Sequence, residues 1–304
     1  MIHTEPEIQK LSAAYEVVQR IGDDLDRQVF ARVTDGGLML PAGADDLHQL
    51  AGREKRDVER KRRPATGSWQ GAAGGQRKAG GPWTAGTAPS AGRRSSAADY
   101  EEELTKLKVA YPASQVWMRE QGIWLVAHSA LVDGLDREAV FVVALPFDVR
   151  KSAQGWGFWS RGNLAFVQWI GPRHTNFPFG SICAFEPADG TWRTGDSPIV
   201  LLDLYSLWAV RHLHLEHFGR WPGSQVARWP YERRTECLEH ELCGCGSFSK
   251  TYAECCLPLD RKRDAVKDAL SFIWETGGGD RSPPIEIFRF LREQIEPPQV
   301  TDYT

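Results

Sequence analysis

From Tyr100 to Tyr111 the apolar residues fall at Tyr100, Leu104, Leu107 and Tyr111, one face of a helix. Asp99 with Glu102 three residues later reads as a capping box at its start, and Pro112 stops it. The period then changes. Gln115–Arg119, Ile123–Val132 and Ala139–Leu145 read as strands, and Gln121-Gly122 suits a tight turn between the first two. A Gly- and Trp-containing stretch, Gly155–Gly162, leads to a further strand, Leu164–Ile170. Gly171–Thr194 carries no period and reads as irregular. Ser197-Pro198 then forms a cap and first-turn pair for a long helix, Ile199–Phe218, ended by Gly219. On the N-terminal side, Leu11, Ala14, Val17, Val18 and Ile21 predict a helix across Glu5–Val33, with a short apolar piece, Leu38-Met39-Leu40, beyond it. Val266, Leu270 and Ile273 predict a helix over Arg261–Trp274, and a last one spans Ile285–Ile295. Both are expected to pack on the rest of the chain. Helix, antiparallel meander of about four strands, irregular segment and central helix together predict an α+β fold, helices laid on one sheet.

Composition divides the chain further. A basic run, Arg53–Arg63, precedes a Gly/Ala/Ser-rich stretch, Pro64–Ser96, that reads as a flexible linker. Five segments result: residues 1–63 (N-terminal and helical), 64–96 (linker), 97–230 (the α+β domain), 231–260 (cysteine-rich) and 261–304 (C-terminal helices). With 41% hydrophobic and 25% charged residues the chain is an ordinary globular one. A net charge of -3 gives no global attraction to nucleic acid or to anionic membranes. The basic run reads first as a solvated stretch, with a nucleic-acid contact as its alternative. No apolar run approaches the roughly 18–20 residues of a membrane span, and Met1–Lys10 lacks a secretory apolar stretch. The expected location is the cytoplasm, where thiols stay reduced.

Six cysteines then point to metal ligands, a nucleophile or buried fillers before disulfides. Five lie between Cys237 and Cys256, and Cys183 stands alone. Cys243, Cys245, Cys255 and Cys256, with Gly244 and Gly246 to turn the chain, suit a structural tetrahedral zinc ion. Cys237 and His240, at Cys-x2-His spacing, remain open as substitutes for one of the four. The cluster resembles the SEC-C zinc motif, Cys-x-Cys, Gly-Ser, an aromatic, then Cys-Cys, with one extra residue between the halves; that resemblance implies a partner-recruiting role. In the long helix His214 and His217 share a face, whereas His212 and His214 do not; packing or solvent-facing roles are expected, with a metal as the alternative.

Cys183 sits in the irregular segment, seven positions after Asn176. A loop cysteine on a rigid frame suits chemistry, and an Asn amide can donate to an oxyanion. Acyl exchange through a thiol needs little more. Trp192 reads as a packing residue below the loop. The series His174-Thr175-Asn176, Gly180-Ser181-Ile182-Cys183, Trp192 and the Leu-rich helix from Val200 resembles the active-site region of ubiquitin-conjugating (E2) enzymes, over residues 97–223. Thr175 stands where that family has proline, and the spacings on either side of Cys183 differ by one residue. The pattern is more similar to divergent bacterial E2-like proteins of antiphage operons. The resemblance implies an E2-like fold, Cys183 as a thioester-forming nucleophile, Asn176 as oxyanion donor and His174 beside them in a structural role. It further implies an E1-like adenylating enzyme and a ubiquitin-like protein as partners, with a target amine as acceptor. By the family's spacing the acidic residue that guides the amine falls near Glu216. A catalytically inactive E2-fold adaptor, recruiting partners through its zinc module, is the alternative.

Overall fold

Alternate residues of the central strands belong to opposite apolar cores, and that pattern organises the molecule. In the computed structural model the described residues are 4–26, 32–34, 37–39, 96–185, 191–245, 249–277, 281–293 and 295–303. They belong to one compact unit, Met1–Leu40 with Arg94–Thr304. The basic run Arg53–Arg63 and the linker as far as residue 95 lie outside the described residues.

Helix α1 (Glu5–Asp26) leads to a ribbon of β1 (Arg32–Thr34) and β2 (Gly37–Met39). The expected helix therefore stops before Val33, which lies in a strand. A 3-10 turn, Ala97–Tyr100, precedes α2 (Glu101–Ala110), whose cap position is Tyr100, without a side-chain capping bond. The cap position of α2 is thus Tyr100 and not Asp99, one residue later than expected, and the Asp99 side chain lies outside what is described.

Strands β3 (Gln115–Arg119), β4 (Gly122–Ser129), β5 (Glu138–Pro146), β6 (Gln154–Ser160) and β7 (Gln168–Trp169) form an antiparallel meander in chain order. The Gly/Trp stretch is itself strand β6. A Cβ on Gly155 would stand 2.3 Å from the Tyr205 ring and one on Gly157 2.7 Å from Trp208, so glycine lets both rings reach the sheet. Residues 164–170 break instead into a 3-10 turn, which Asn163 caps by accepting the Ala165 N–H at 2.8 Å, and the short β7.

After a small hairpin, β8 (Thr175–Asn176) and β9 (Ser181–Ile182), comes the long helix α3 (Pro198–Phe218), closed by Gly219 at φ 70°. Ile123, Leu125, Phe141, Val143 and Leu145 face α1, α2 and α3. Trp124, Val126, Val140, Val142 and Trp156 face the opposite way, toward the C-terminal helix and Val300. Each such side chain contributes about 1.5–3 kcal/mol on burial.

The C-terminal third adds α4 (Pro230–Glu236), α5 (Leu257–Asp260), α6 (Ala265–Glu275) and α7 (Ile285–Glu293). Ile287, Phe290 and Leu291 of α7 cover the second sheet face. Helix α6 departs from expectation. Val266, Leu270 and Ile273 are 67%, 62% and 49% exposed, and the helix buries Phe272, which meets Phe177 and Tyr231. Asp268, one turn before Phe272 on the same face, is bound there by Arg234 and Arg263, and Phe272 packs among Phe177, Trp229 and Tyr231. The observed architecture is α+β, a five-stranded antiparallel sheet covered by helices.

Candidate active site and metal centre

Cys183 follows β9 directly and is half-buried. In the β8–β9 hairpin Thr175 pairs with Ile182 and Asn176 with Ser181. Its turn closes through the Gly180 N–H, which donates to the Asn176 carbonyl at 2.8 Å. Gly180 has φ 61°, and a Cβ there would come within 2.9 Å of the Ser282 backbone, so both conformation and space demand glycine.

The backbone around Cys183 is held from the opposite strand. The Cys183 N–H donates to the His174 carbonyl at 3.0 Å, and the Trp208 indole N–H from α3 donates to the same oxygen at 2.9 Å. His174 has φ 51°, the one positive φ at a non-glycine among the described residues. Such a conformation costs about 1–3 kcal/mol and persists where surrounding contacts enforce it. The His174 ring lies 4.1 Å from the Trp221 ring and 3.4 Å from Gln225 Oε1. Burial, then the charge of Arg173 and the His212 ring, hold its pKa well below the usual histidine value. It is a neutral brace at neutral pH and a poor base.

Asn176 is exposed, and its amide donates to the Ile182 carbonyl at 3.1 Å and to Ser181 Oγ at 3.3 Å. It bridges the hairpin one residue before Cys183. The structure thus brings His174, Asn176 and Cys183 into one loop. Trp192 is buried beneath it, edge-on to Phe185, with its indole N–H donated to the Ser197 carbonyl at 2.9 Å. A shallow groove of about 630 Å3 opens at the hairpin turn, between Pro178 and Phe179 on one side and Ile285, Glu286 and Tyr303 on the other.

Two arginines that sequence reasoning passed over complete the surroundings. Arg173 is buried against Glu241, at 3.0 Å through one nitrogen, and also donates to Gln225. Burial opposes the Glu241 charge, but the Arg173 ion pair and the N–H groups of Trp221 and Leu238 outweigh it and hold the pKa below the ordinary value. Arg281 donates to the Thr175 carbonyl at 2.8 Å, lies over the Phe177 ring, and pairs with Glu232 and Glu236 of α4. Burial lowers its pKa, and the Glu232 carboxylate and the Cys183 sulfur pull it back up. Neither arginine sits in a motif, so no local signal marks them.

The three helix histidines take separate partners. His212 Nε2 meets the Arg173 carbonyl at 3.0 Å, His214 Nδ1 meets the Arg220 carbonyl at 3.0 Å, and His217 stacks on Tyr15. Burial drives His212 down to about 3. Glu216 pairs with Arg137 at 2.9 Å.

The other four chemically notable residues converge as expected. The sulfurs of Cys243, Cys245, Cys255 and Cys256 all lie within 4.8 Å of one another and can hold a metal ion. The Cys245–Cys255 and Cys255–Cys256 sulfur separations are 3.6 and 3.9 Å. A tetrahedron with Zn–S bonds of 2.3 Å has edges of about 3.8 Å, so the spacing is compatible with zinc. Burial and crowding by neighbouring thiols push the Cys255 and Cys256 pKa values up, and a dication would relieve that crowding. Cys237 stands apart, a buried thiol pushed up to about 12 by burial, and His240 is exposed. Neither joins the cluster. No disulfide links any of the six cysteines. No helix among the described residues is long and apolar enough to cross a membrane.

Compared with protein-family models, with curated proteins and with solved structures, the chain matches none.

Proposed function

We propose that this chain is an E2-like conjugating enzyme with Cys183 as its acyl-carrying nucleophile. The observation that carries the reading is His174, held in a strained conformation whose carbonyl fixes the Cys183 backbone. Local strain concentrates where geometry matters to chemistry. In the proposed reaction the Cys183 thiolate attacks the thioester carbonyl at the C-terminus of a ubiquitin-like protein carried by an E1-like enzyme. The E1 thiolate leaves and a new thioester forms on Cys183. A target amine then attacks that carbonyl, and an amide forms as the Cys183 thiolate departs and the amine loses its proton to solvent. Asn176 serves the oxyanion of each addition by exchanging its longer bond, to Ser181, for the developing charge. His174, neutral and engaged, contributes position rather than proton transfer. Zinc is the proposed occupant of the four-thiol cluster.

The test is intact mass after incubation with an E1-like enzyme, a ubiquitin-like protein and ATP. One carrier should add, be released by thiol, and be absent from Cys183→Ala. An adduct that survives Cys183→Ala would refute the assignment.

One observation favours a second reading, an inactive E2-fold adaptor. Both Asn176 contacts brace the hairpin. Under that reading partner capture survives Cys183→Ala and no carrier ever loads.

A further inference from the structure

The loop that carries Cys183 is gripped on both sides of His174, and each grip leads to the thiol cluster. On one side is Arg173, buried against Glu241. Glu241 accepts the Leu238 N–H at 3.0 Å, its carbonyl accepts the Tyr252 N–H at 2.8 Å, and it lies two residues before Cys243. Gln225 joins the same network, accepting from Arg173 and donating to the Leu242 carbonyl at 2.7 Å. On the other side the Thr175 carbonyl receives Arg281, which is held by Glu232 and Glu236 of α4. Helix α4 is locked in turn by Arg233, whose guanidinium forks onto both Asp260 oxygens at 2.8 Å. Asp260 closes α5, the turn that starts directly after Cys256. The apolar cluster around the thiols is small, so their local order rests on these polar ties and on whatever the four thiols hold.

We propose that the cysteine module is a structural wall of the Cys183 site, with Arg173–Glu241 and Arg281–Glu232/Glu236 as positioning pairs that transmit its folded state to the loop. The module is then more than a recruiting appendage: loss of its metal loosens the nucleophile's backbone 60 residues of sequence away from the nearest thiol of the cluster, Cys243, through the Arg173–Glu241 pair. Arg281 acts through the Thr175 carbonyl of the hairpin, and Arg173 acts through its own backbone, which leads directly into His174. The significance of a loosened Cys183 rests on the conjugating-enzyme reading, but the coupling itself does not.

Hydrogen–deuterium exchange on the full zinc-loaded chain tests it. Three perturbations are compared: a chelator, Glu241→Gln, and Arg281→Lys, which keeps the charge and loses the forked geometry. Each should speed exchange in segment 174–185 at least ten-fold while sheet segment 122–146 keeps its protection. Faster exchange confined to 237–260 after chelation, with 174–185 unchanged in both variants, would overturn the proposal. Should Glu241→Gln also expose the sheet, Arg281→Lys decides. No carrier protein enters the measurement, so a Cys183 that never loads and a loop that never couples give separate results.

Discussion

Strands β4 and β5 bury aliphatic and aromatic side chains on both faces, whereas the region from Trp221 to Asp260 encloses Arg173, Arg233, Glu241 and Asp260 around a small apolar cluster. The sheet is held by area removed from water, which is non-directional and tolerant of detail. The cysteine region is held by directional pairs, each of which fails when one partner is removed. The first arrangement makes a rigid frame. The second makes a site whose geometry depends on a few atoms and, on the reading above, on a metal.

The largest expected effect tests the sheet. Phe141→Ala removes a fully buried ring between strand and helix and should cost about 3–5 kcal/mol, read from denaturant unfolding of the whole unit. Next comes the module. Glu241→Ala leaves the Arg173 charge buried and should cost about 3 kcal/mol; the double variant Arg173→Met with Glu241→Leu should recover most of that loss. A double variant no more stable than the single one would show that the loss does not come from the stranded Arg173 charge.

Acid should then separate the two regions. The Glu241 pKa is depressed in the folded state, so its stabilisation is present above the ordinary carboxylate value and lost as pH falls through the depressed one. Asp203, on α3 against the sheet, is shifted upward by burial despite the bond from Tyr111. Its contribution is full below the ordinary value and declines as pH rises toward the folded one. Amide exchange, taken relative to the intrinsic rate at each pH, should therefore accelerate around 238–243 before it does in α3 as pH falls below the ordinary carboxylate value. Uniform acceleration would contradict the contrast. The smallest effect concerns Trp274, 86% exposed on α6: Trp274→Ser should move the melting free energy by no more than about 0.5 kcal/mol.

Legibility in the sequence followed the same division. The apolar run of β5, the short strand β3 and the Ser197-Pro198 start and Gly219 stop of α3 placed these elements to within a residue or two. The four-thiol cluster was legible because few other structures need such spacing. Strand β6 was obscured by its glycines, whose function is to admit Tyr205 and Trp208 from a helix some fifty residues away. The apolar residues of α6 misled, since helical period alone cannot say that Asp268 would be claimed by two arginines. Arg173 and Arg281 were invisible for a related reason: a buried ion pair joins residues 68 positions apart, and neither member carries a local pattern.

The most direct test of the Cys183 assignment is peptide mapping after loading with the E1-like enzyme, the ubiquitin-like protein and ATP. Trypsin should release His174–Arg193 with Cys183 as its one cysteine. The account predicts the carrier remnant on that peptide, labile to thiol in the natural chain and stable to it as an ester in Cys183→Ser. A remnant on a peptide bearing Cys237 or the thiol cluster instead, or none with partners shown to be active, would contradict it.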